Sequence, residues 1–296
     1  MLDALRRLRD AHRLRRRTVR RRSVGHTLVL SWHRIAAPPA SDPWRMCVDP
    51  QRFDEQLAVL VRRAEVVPAA ALDAPAPRTA RPRVVLTFDD AYPDALRAAL
   101  PTLERHGLPA TFFVPPAAIE GGRPYWWDRL AAAVEGPRLV ESYARLWTLP
   151  EPEREERLAR IVAAAGDAQP SDELRPLDLA ELRRLAASSR VEIGAHGDSH
   201  QHLPSLGATA QRADAERSRA SLARLLGTAP RTFAYPYGAY DRGAVAAVRA
   251  AGFARAFTNE GELAWDDTDP LLTPRFAVGD WDAARFERAL HEEWLP

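Results

Sequence analysis

No lysine occurs anywhere in this chain: all 42 basic side chains are arginine, and alanine and proline are abundant. We read that bias as a coding preference with no bearing on function. Cysteine is almost as scarce, and the single Cys47 excludes an intrachain disulfide and makes a reducing compartment admissible. Long apolar runs are missing as well. No stretch approaches the length of a membrane span. Residues 27–32, the apolar segment behind the arginine-rich start, are too short for the core of a signal peptide. The expectation is a cytoplasmic protein.

The net charge of +2 hides an uneven distribution. Residues 1–22 hold ten arginines against Asp3 and Asp10, a balance of +8 that leaves −6 on the other 274 residues. Leu2, Leu5 and Leu8 stand at helical spacing among those arginines. Such an arm can lie peripherally on an anionic membrane, here at its inner face. A solvated basic helix is the plain alternative, and nucleic acid is the less favoured partner. Residues 23–296 are enough for one barrel-sized domain, with 46% hydrophobic residues in the chain to fill a core. No internal repeat is present, and nothing sets an oligomeric state.

Hydrophobic patterning alternates along the chain. Residues 65–67, 84–88, 111–114, 191–195, 232–234 and 255–258 read as strands, and 94–105, 208–226, 241–250 and 283–293 as helices. Gly107, Gly227 and Gly252 follow helical patterns as C-caps. Alternation of this kind predicts parallel strands with outer helices. Residues 120–179 interrupt it, with helices predicted over 126–134 and 152–165, as an insertion on the motif side of the barrel.

Two motifs close predicted strands. Thr87-Phe88-Asp89-Asp90 ends the run Val84-Val85-Leu86, and His196-Gly197-Asp198-Ser199-His200 follows Val191-Glu192-Ile193-Gly194-Ala195. Carboxyl ends of neighbouring parallel strands are where barrel enzymes keep their chemistry. Two histidines spaced i,i+4 across a helical turn can share one ion, and a carboxylate, assigned here to Asp90, completes a facial triad. Asp89 beside it is placed to take a proton from water. Alone, an Asp-Asp pair is commonly a turn or a cap, and HxxxH arises by chance. A third strand-like end, Thr232 to Gly238, makes the joint pattern far more specific.

These motifs resemble those of the polysaccharide deacetylases of carbohydrate esterase family 4, the NodB-homology domain, which include circularly permuted members. Thr87 to Asp90 matches the first motif, His196 to His200 the second with Gly197 in place of a hydroxyl residue, and Pro236-Tyr237-Gly238 the end of the third. The resemblance runs from residue 27 to the C-terminus. It implies an α/β fold, a distorted (β/α)7 barrel carrying the helical insertion. It also implies a divalent metal on Asp90, His196 and His200, with Zn2+ first and Co2+, Ni2+ or Mn2+ as alternatives. Asp89 would be the general base, the Tyr237 backbone N–H would stabilise the oxyanion, and Pro236 would lie at the substrate. The implied substrate is an N-acetylated carbohydrate.

The chain departs from that pattern in four places. The usual C-terminal Leu-x-His is missing, and His291 lies within a predicted helix. Leu28-Val29-Leu30-Ser31-Trp32-His33 is an apolar strand ending in histidine, so His33 takes the general-acid role, against the alternative of a buried structural histidine. Ala234 stands where the family has an arginine that orients the base. Arg275, in Thr273-Pro274-Arg275, is the candidate to contact Asp89 bidentately from a neighbouring barrel position, against an ordinary surface arginine. Ala91 replaces a glycine and requires an ordinary φ there. Trp281, in Gly279-Asp280-Trp281, resembles the fourth motif weakly and is expected to line the pocket.

Tyr125-Trp126-Trp127-Asp128 offers aromatic faces for a sugar ring, with Trp127 as the candidate and buried packing as the alternative. The reading is a metal-dependent hydrolase removing an N-acetyl group from an amino sugar in a glycan, glycolipid or glycoside intermediate. A deformylase or O-acetyl esterase on the same scaffold remains open, as does a non-catalytic carbohydrate-binding protein.

Overall fold

The computed structural model describes residues 25–38, 42–76 and 81–295. The basic arm expected over residues 1–22 lies outside them. Eleven strands run in chain order: β1 His26–Trp32, β2 Arg34–Ile35, β3 Cys47–Val48, β4 Glu65–Val66, β5 Arg83–Phe88, β6 Ala110–Val114, β7 Val191–Ala195, β8 Thr232–Ala234, β9 Arg255–Phe257, β10 Ala264–Trp265 and β11 Phe276–Ala277. The sheet orders them β1-β5-β6-β7-β8-β9, every neighbouring pair parallel. Phe257 then bridges Thr273 in parallel, and β11 pairs parallel with β1 through Leu30↔Phe276. The segment from Thr273 to Ala277 thereby closes the curled sheet into a distorted barrel. β4 and the antiparallel β10 add only at the start of β5 and of β1.

Residue alternation along the strands explains two layers of core. Leu28, Leu30, Val84 and Leu86 face the outer helices, whereas Val29, Val85, Phe113, Ala234 and Phe257 fill the barrel interior. Strands covered on both faces read as continuous apolar runs, which is why β5 is buried along its whole length. The Thr27↔Arg83 to Trp32↔Phe88 register brings His33 and Asp89 out side by side at the carboxyl ends.

Helices fill the crossovers. Residues 95–106 form one, opening with a π turn before Pro101 and closing on Gly107 at φ 69°. The helix Ala208–Leu226 closes on Gly227 at φ 79°. Outside the insertion, the helices that were not legible include Pro50–Arg63, capped by Asp49 accepting from the Gln51 and Arg52 N–H groups, the short Pro116–Gly121, and Leu179–Ala186, opened by an Asp178/Glu181 capping box. The insertion holds three helices where two are predicted: Trp126–Ala133, Gly136–Leu146 and Glu151–Ala164. The predicted C-terminal helix is α-helical over Ala283–Arg288 and widens to a π turn over Ala289–Trp294. Among the described residues no helix is long and apolar enough to cross a membrane. Cys47 is buried, and burial pushes its thiol up to about 12, against the nearby Arg34 charge.

Gly194 in β7 tests the interior packing. A Cβ added there would lie 2.5 Å from the Phe113 ring and 2.7 Å from Thr232 Oγ1. We expect Gly194→Ala to destabilise the fold by about 1–3 kcal/mol through overpacking, read as a fall of several degrees in a thermal melt. An unchanged melting temperature would mean that the interior yields more than this geometry allows.

Candidate active site

Asp89 leaves β5 with its N–H on the Trp32 carbonyl, and the chain turns sharply. Asp90 sits at φ 71° and Ala91 at φ 54°. The ordinary φ expected for Ala91 is therefore overturned: it occupies the left-handed region where glycine is usual, at a cost of about 1–2 kcal/mol. Backbone contacts fix the turn, since Leu177 N–H donates to the Ala91 carbonyl and the Tyr125 hydroxyl donates to that of Asp90.

Arg275 reaches across the barrel interior over the Phe113 and Phe257 rings to this turn. Its Nη1 and Nη2 donate to Asp89 Oδ1 and Oδ2, both at 2.8 Å, and Nη1 also donates to Thr87 Oγ1. Its Nε donates to the Thr258 carbonyl and to Asn259 Oδ1. Both partners of the pair are completely buried. Burial alone would raise the Asp89 carboxyl, but Arg275, with His196 and His33 nearby, holds it well below the usual carboxylate range.

The second motif is not a helical turn. Residues 196–200 form an irregular loop with Gly197 at φ 67° and His200 at φ 55°. The i,i+4 helical presentation expected for the histidines is thus replaced by a loop that folds both imidazoles inward. Asp214, on the helix Ala208–Leu226, accepts from the Asp198 N–H, and its carboxylate stands 3.1 Å from where a Cβ of Gly197 would be. A side chain at Gly197 would displace that buttress.

His196 Nδ1 donates to the Ala234 carbonyl at 2.8 Å, which leaves Nε2 as the lone-pair nitrogen, 3.5 Å from Asp90 Oδ1. Burial drops the His196 pKa to about 4, so the imidazole is neutral at physiological pH. His200 Nε2 lies 3.2 Å from the same Oδ1, off hydrogen-bond geometry, so Oδ1 is buried with no donor. One ligand atom each from Asp90, His196 and His200 fall within 4.8 Å of one another. Two imidazoles and an orphaned carboxylate oxygen fit a divalent first-row metal, zinc included.

His33 completes the rim, with Nε2 3.9 Å from Asp89 Oδ2 and a side chain 26% exposed. A cavity of about 470 Å³ opens above these groups, lined by His33, Asp89, Asp90, His196, His200 and Tyr237 and walled by aromatic rings. Trp127 lines it as an edge; buried at 5% exposure, the ring stacks on Tyr125 at 4.5 Å and lies 4.8 Å from His200. Its Nε1 donates to the Tyr92 hydroxyl, which donates in turn to Asp128, a carboxyl pushed up to about 7 by burial. Two expected substrate residues are not on this wall. Trp281 packs instead on Trp294, under the Arg285 guanidinium, where the C-terminal helix covers the barrel. Pro236 is buried behind the turn that carries Tyr237.

Sequence reasoning missed Trp44, Tyr143, Trp147 and Asn259, which also line the cavity. Tyr143 lies in the helix Gly136–Leu146, which the sequence did not announce, and Trp147 is its C-cap. Asn259 had a usable signal, since it follows β9 at the same end as the motifs.

A closed parallel barrel thus carries a carboxylate-histidine cluster and an arginine-locked aspartate at its carboxyl end. Residues 76–256 match the family model described as polysaccharide deacetylase. The chain belongs to that family. The matched segment holds Asp89, Asp90, His196, His200 and Tyr237, whereas His33 and Arg275 lie outside it. Solved structures agree in fold. A Streptococcus pyogenes deacetylase, PplD, determined in complex with acetate, superposes with a TM-score of 0.65 at 17% identity over 88% of this chain and 96% of that one. A de-N-acetylase from Aggregatibacter actinomycetemcomitans gives 0.61 at 16% identity, over 86% and 95%. IcaB from Ammonifex degensii gives 0.57 at 21% identity, over 86% and 92%. No protein of curated function matches the sequence.

Asp214 yields a prediction about pH. Burial raises its carboxyl to about 7 despite hydrogen bonds from the loop N–H groups. A carboxyl raised on folding contributes stability that is present below its unfolded pKa and is lost as pH rises through the folded value. Asparagine keeps an acceptor for Asp198 and cannot ionise. We expect wild-type melting temperatures to fall relative to Asp214→Asn between about pH 4 and 7 and to level off above; parallel pH profiles would show that Asp214 does not titrate in that window.

Proposed function

We propose that the protein is a metal-dependent hydrolase that removes an N-acetyl group from an amino sugar in a glycan, glycolipid or glycoside intermediate. Membership of the polysaccharide deacetylase family supports the reaction class. The single observation that carries the rest is Asp89, fixed on both oxygens by Arg275 at the edge of the Asp90, His196 and His200 cluster. Those three residues would hold the ion. When bound, it supplies an acidified water and a Lewis acid for the acetyl carbonyl.

The chain's own groups do the rest. Asp89 stays ionised at neutral pH and accepts the water's proton; as a weak base it suits a water that is already acidified. Arg275 is a positioning residue, fixing the plane of that carboxylate. The Tyr237 backbone N–H stabilises the oxyanion, as a fixed dipole that needs no reorganisation. His33, on the cavity wall, protonates the departing amine, because an amide anion is a very poor leaving group. The aromatic side chains of Trp44, Tyr143 and Trp147, with the edge of Trp127, would wall the sugar ring, and a cavity of this size takes one or two rings.

The test is metal content measured together with acetate release from N-acetylglucosamine oligomers and small N-acetyl glycosides, with and without chelator. Chelator-sensitive acetate release is expected. Bound metal with formate release, or with cleavage of O-acetyl sugars only, would replace the acetamide by those substrates; no metal under replete conditions would overturn the reading.

Asp89→Asn should keep its metal and lose turnover by about 10²–10⁴-fold, whereas His196→Ala should lose both. Near-wild-type turnover in Asp89→Asn would remove Asp89 as the base. His33→Ala should slow amide cleavage far more than cleavage of an activated ester, whose leaving group needs no proton. Equal losses on both substrates would make His33 structural.

A further inference from the structure

Beside the large cavity lies a second one of about 250 Å³ that shares Trp127 and His200 with it. Its charge comes from Arg123, Arg129, Arg154, Glu151 and Glu155. Glu155 is engaged by Arg129 Nη1 at 2.7 Å and Arg123 Nη2 at 3.5 Å. Glu151 accepts from Gln201 Nε2 at 3.2 Å.

Arg154 is different. It is 2% exposed, its Nε and Nη1 are buried without an acceptor, and among the described residues no carboxylate pairs with it. It lies over the face of Trp126, 5.4 Å from the guanidinium carbon to the ring centroid. A guanidinium withdrawn from water without an anion is strongly unfavourable, and a cation–π contact offsets only part of that. Three arginines face two glutamates here, so one positive charge is left over at a cavity wall. A planar fork of N–H donors in that position is matched by a carboxylate or a phosphate.

We propose that this cavity is an oxyanion subsite, in which Arg154 binds a carboxylate or phosphate carried by the substrate. The protein would then act on an acidic N-acetylated glycan or on a glycosyl phosphate. This substrate class rests on the deacetylase reading; the anion site itself rests on Arg154. Trp126 lines this cavity and braces two residues of the larger one. One contact of its ring is Arg154, another is Tyr143, stacked at 5.0 Å, and its Nε1 donates to the Tyr237 hydroxyl at 2.9 Å. An anion drawn to Arg154 therefore seats against the ring that supports the wall of the acetyl site.

The test begins with thermal melts of chelator-treated protein, in inorganic phosphate or D-glucuronate against chloride at matched ionic strength. Chelation keeps an ion at Asp90, His196 and His200 from contributing. We expect at least one anion to raise the wild-type melting temperature by several degrees and neither to raise that of Arg154→Met or the closer-shaped Arg154→Gln. A rise with phosphate alone assigns a glycosyl phosphate, and one with glucuronate alone an acidic glycan. The unliganded variants should melt no lower than wild type, because a lone buried charge has been removed. No rise in wild type, or an equal rise in the variants, overturns the subsite whatever the enzyme does.

The second arm compares kcat/KM for N-acetylhexosamine joined to a uronic acid, joined to a neutral hexose, or carrying a 1-phosphate. The preference for the acidic substrate should fall by about tenfold or more in Arg154→Met. An unchanged preference overturns the role in substrate selection. Failure to release acetate from any substrate, with the melts positive, would sink the deacetylase reading and leave the anion site standing.

Discussion

The buried pair of Asp89 and Arg275 ties together parts of the chain 186 residues apart. Asp89 follows β5, between β1 and β6 in the sheet, while Arg275 lies in the short segment that closes the barrel between β9 and β1. Through Thr87, Thr258 and Asn259 the same guanidinium also grips β5 and the end of β9. Such a pair is weak as a source of net stability, because both charges forfeit hydration, but removing either partner strands the other in the interior. Its value here is geometric. It fixes the plane of one carboxylate, so that closure of the barrel and orientation of the candidate base are one event.

Around that fixed point the backbone is strained. Asp90, Ala91, His200 and Tyr237 all have positive φ, a conformation that L residues with side chains hold only where their surroundings enforce it. The enforcing contacts come largely from elements outside the barrel strands. The insertion supplies the Tyr125 hydroxyl to the Asp90 carbonyl and Trp126 to the Tyr237 side chain, and Asp214 on an outer helix holds the histidine loop. The insertion is therefore part of the clamp on the site as well as its aromatic wall.

Most of the parts of this arrangement that were legible in sequence are polar residues at the end of an apolar run, and His200 was legible by its spacing from His196. His33, Asp89, Asp90 and His196 all interrupt such runs, and strand periodicity carries their positions directly. Arg275 was legible for a related reason, as an arginine beside a short strand in a chain lacking one at position 234. What was not legible depends on three-dimensional closure. Nothing local says that Ala91 must be left-handed, because that follows from the contacts of Asp90 and Leu177 across the turn. Trp281 follows a strand end just as Asn259 does, yet the C-terminal helix draws one ring away while the other residue lines the cavity. Tyr143 and Trp147 lie in a segment whose helix begins at a glycine and a proline, with no polar side-chain cap to announce it.

The small side chain at position 234 fits the interior layer that Arg275 crosses. Val29, Val85, Phe113, Ala234 and Phe257 form one interior layer, and Arg275 spans it across the two phenylalanine rings. A second long cation at position 234 would compete for the same carboxylate and the same volume. With alanine there, position 234 contributes only its backbone carbonyl, and that carbonyl sets the His196 tautomer. Such a hydrogen bond on the far nitrogen is what orients a metal-ligating imidazole. The guanidinium of the closing segment thus holds Asp89, while β8 holds His196 with its lone pair toward Asp90.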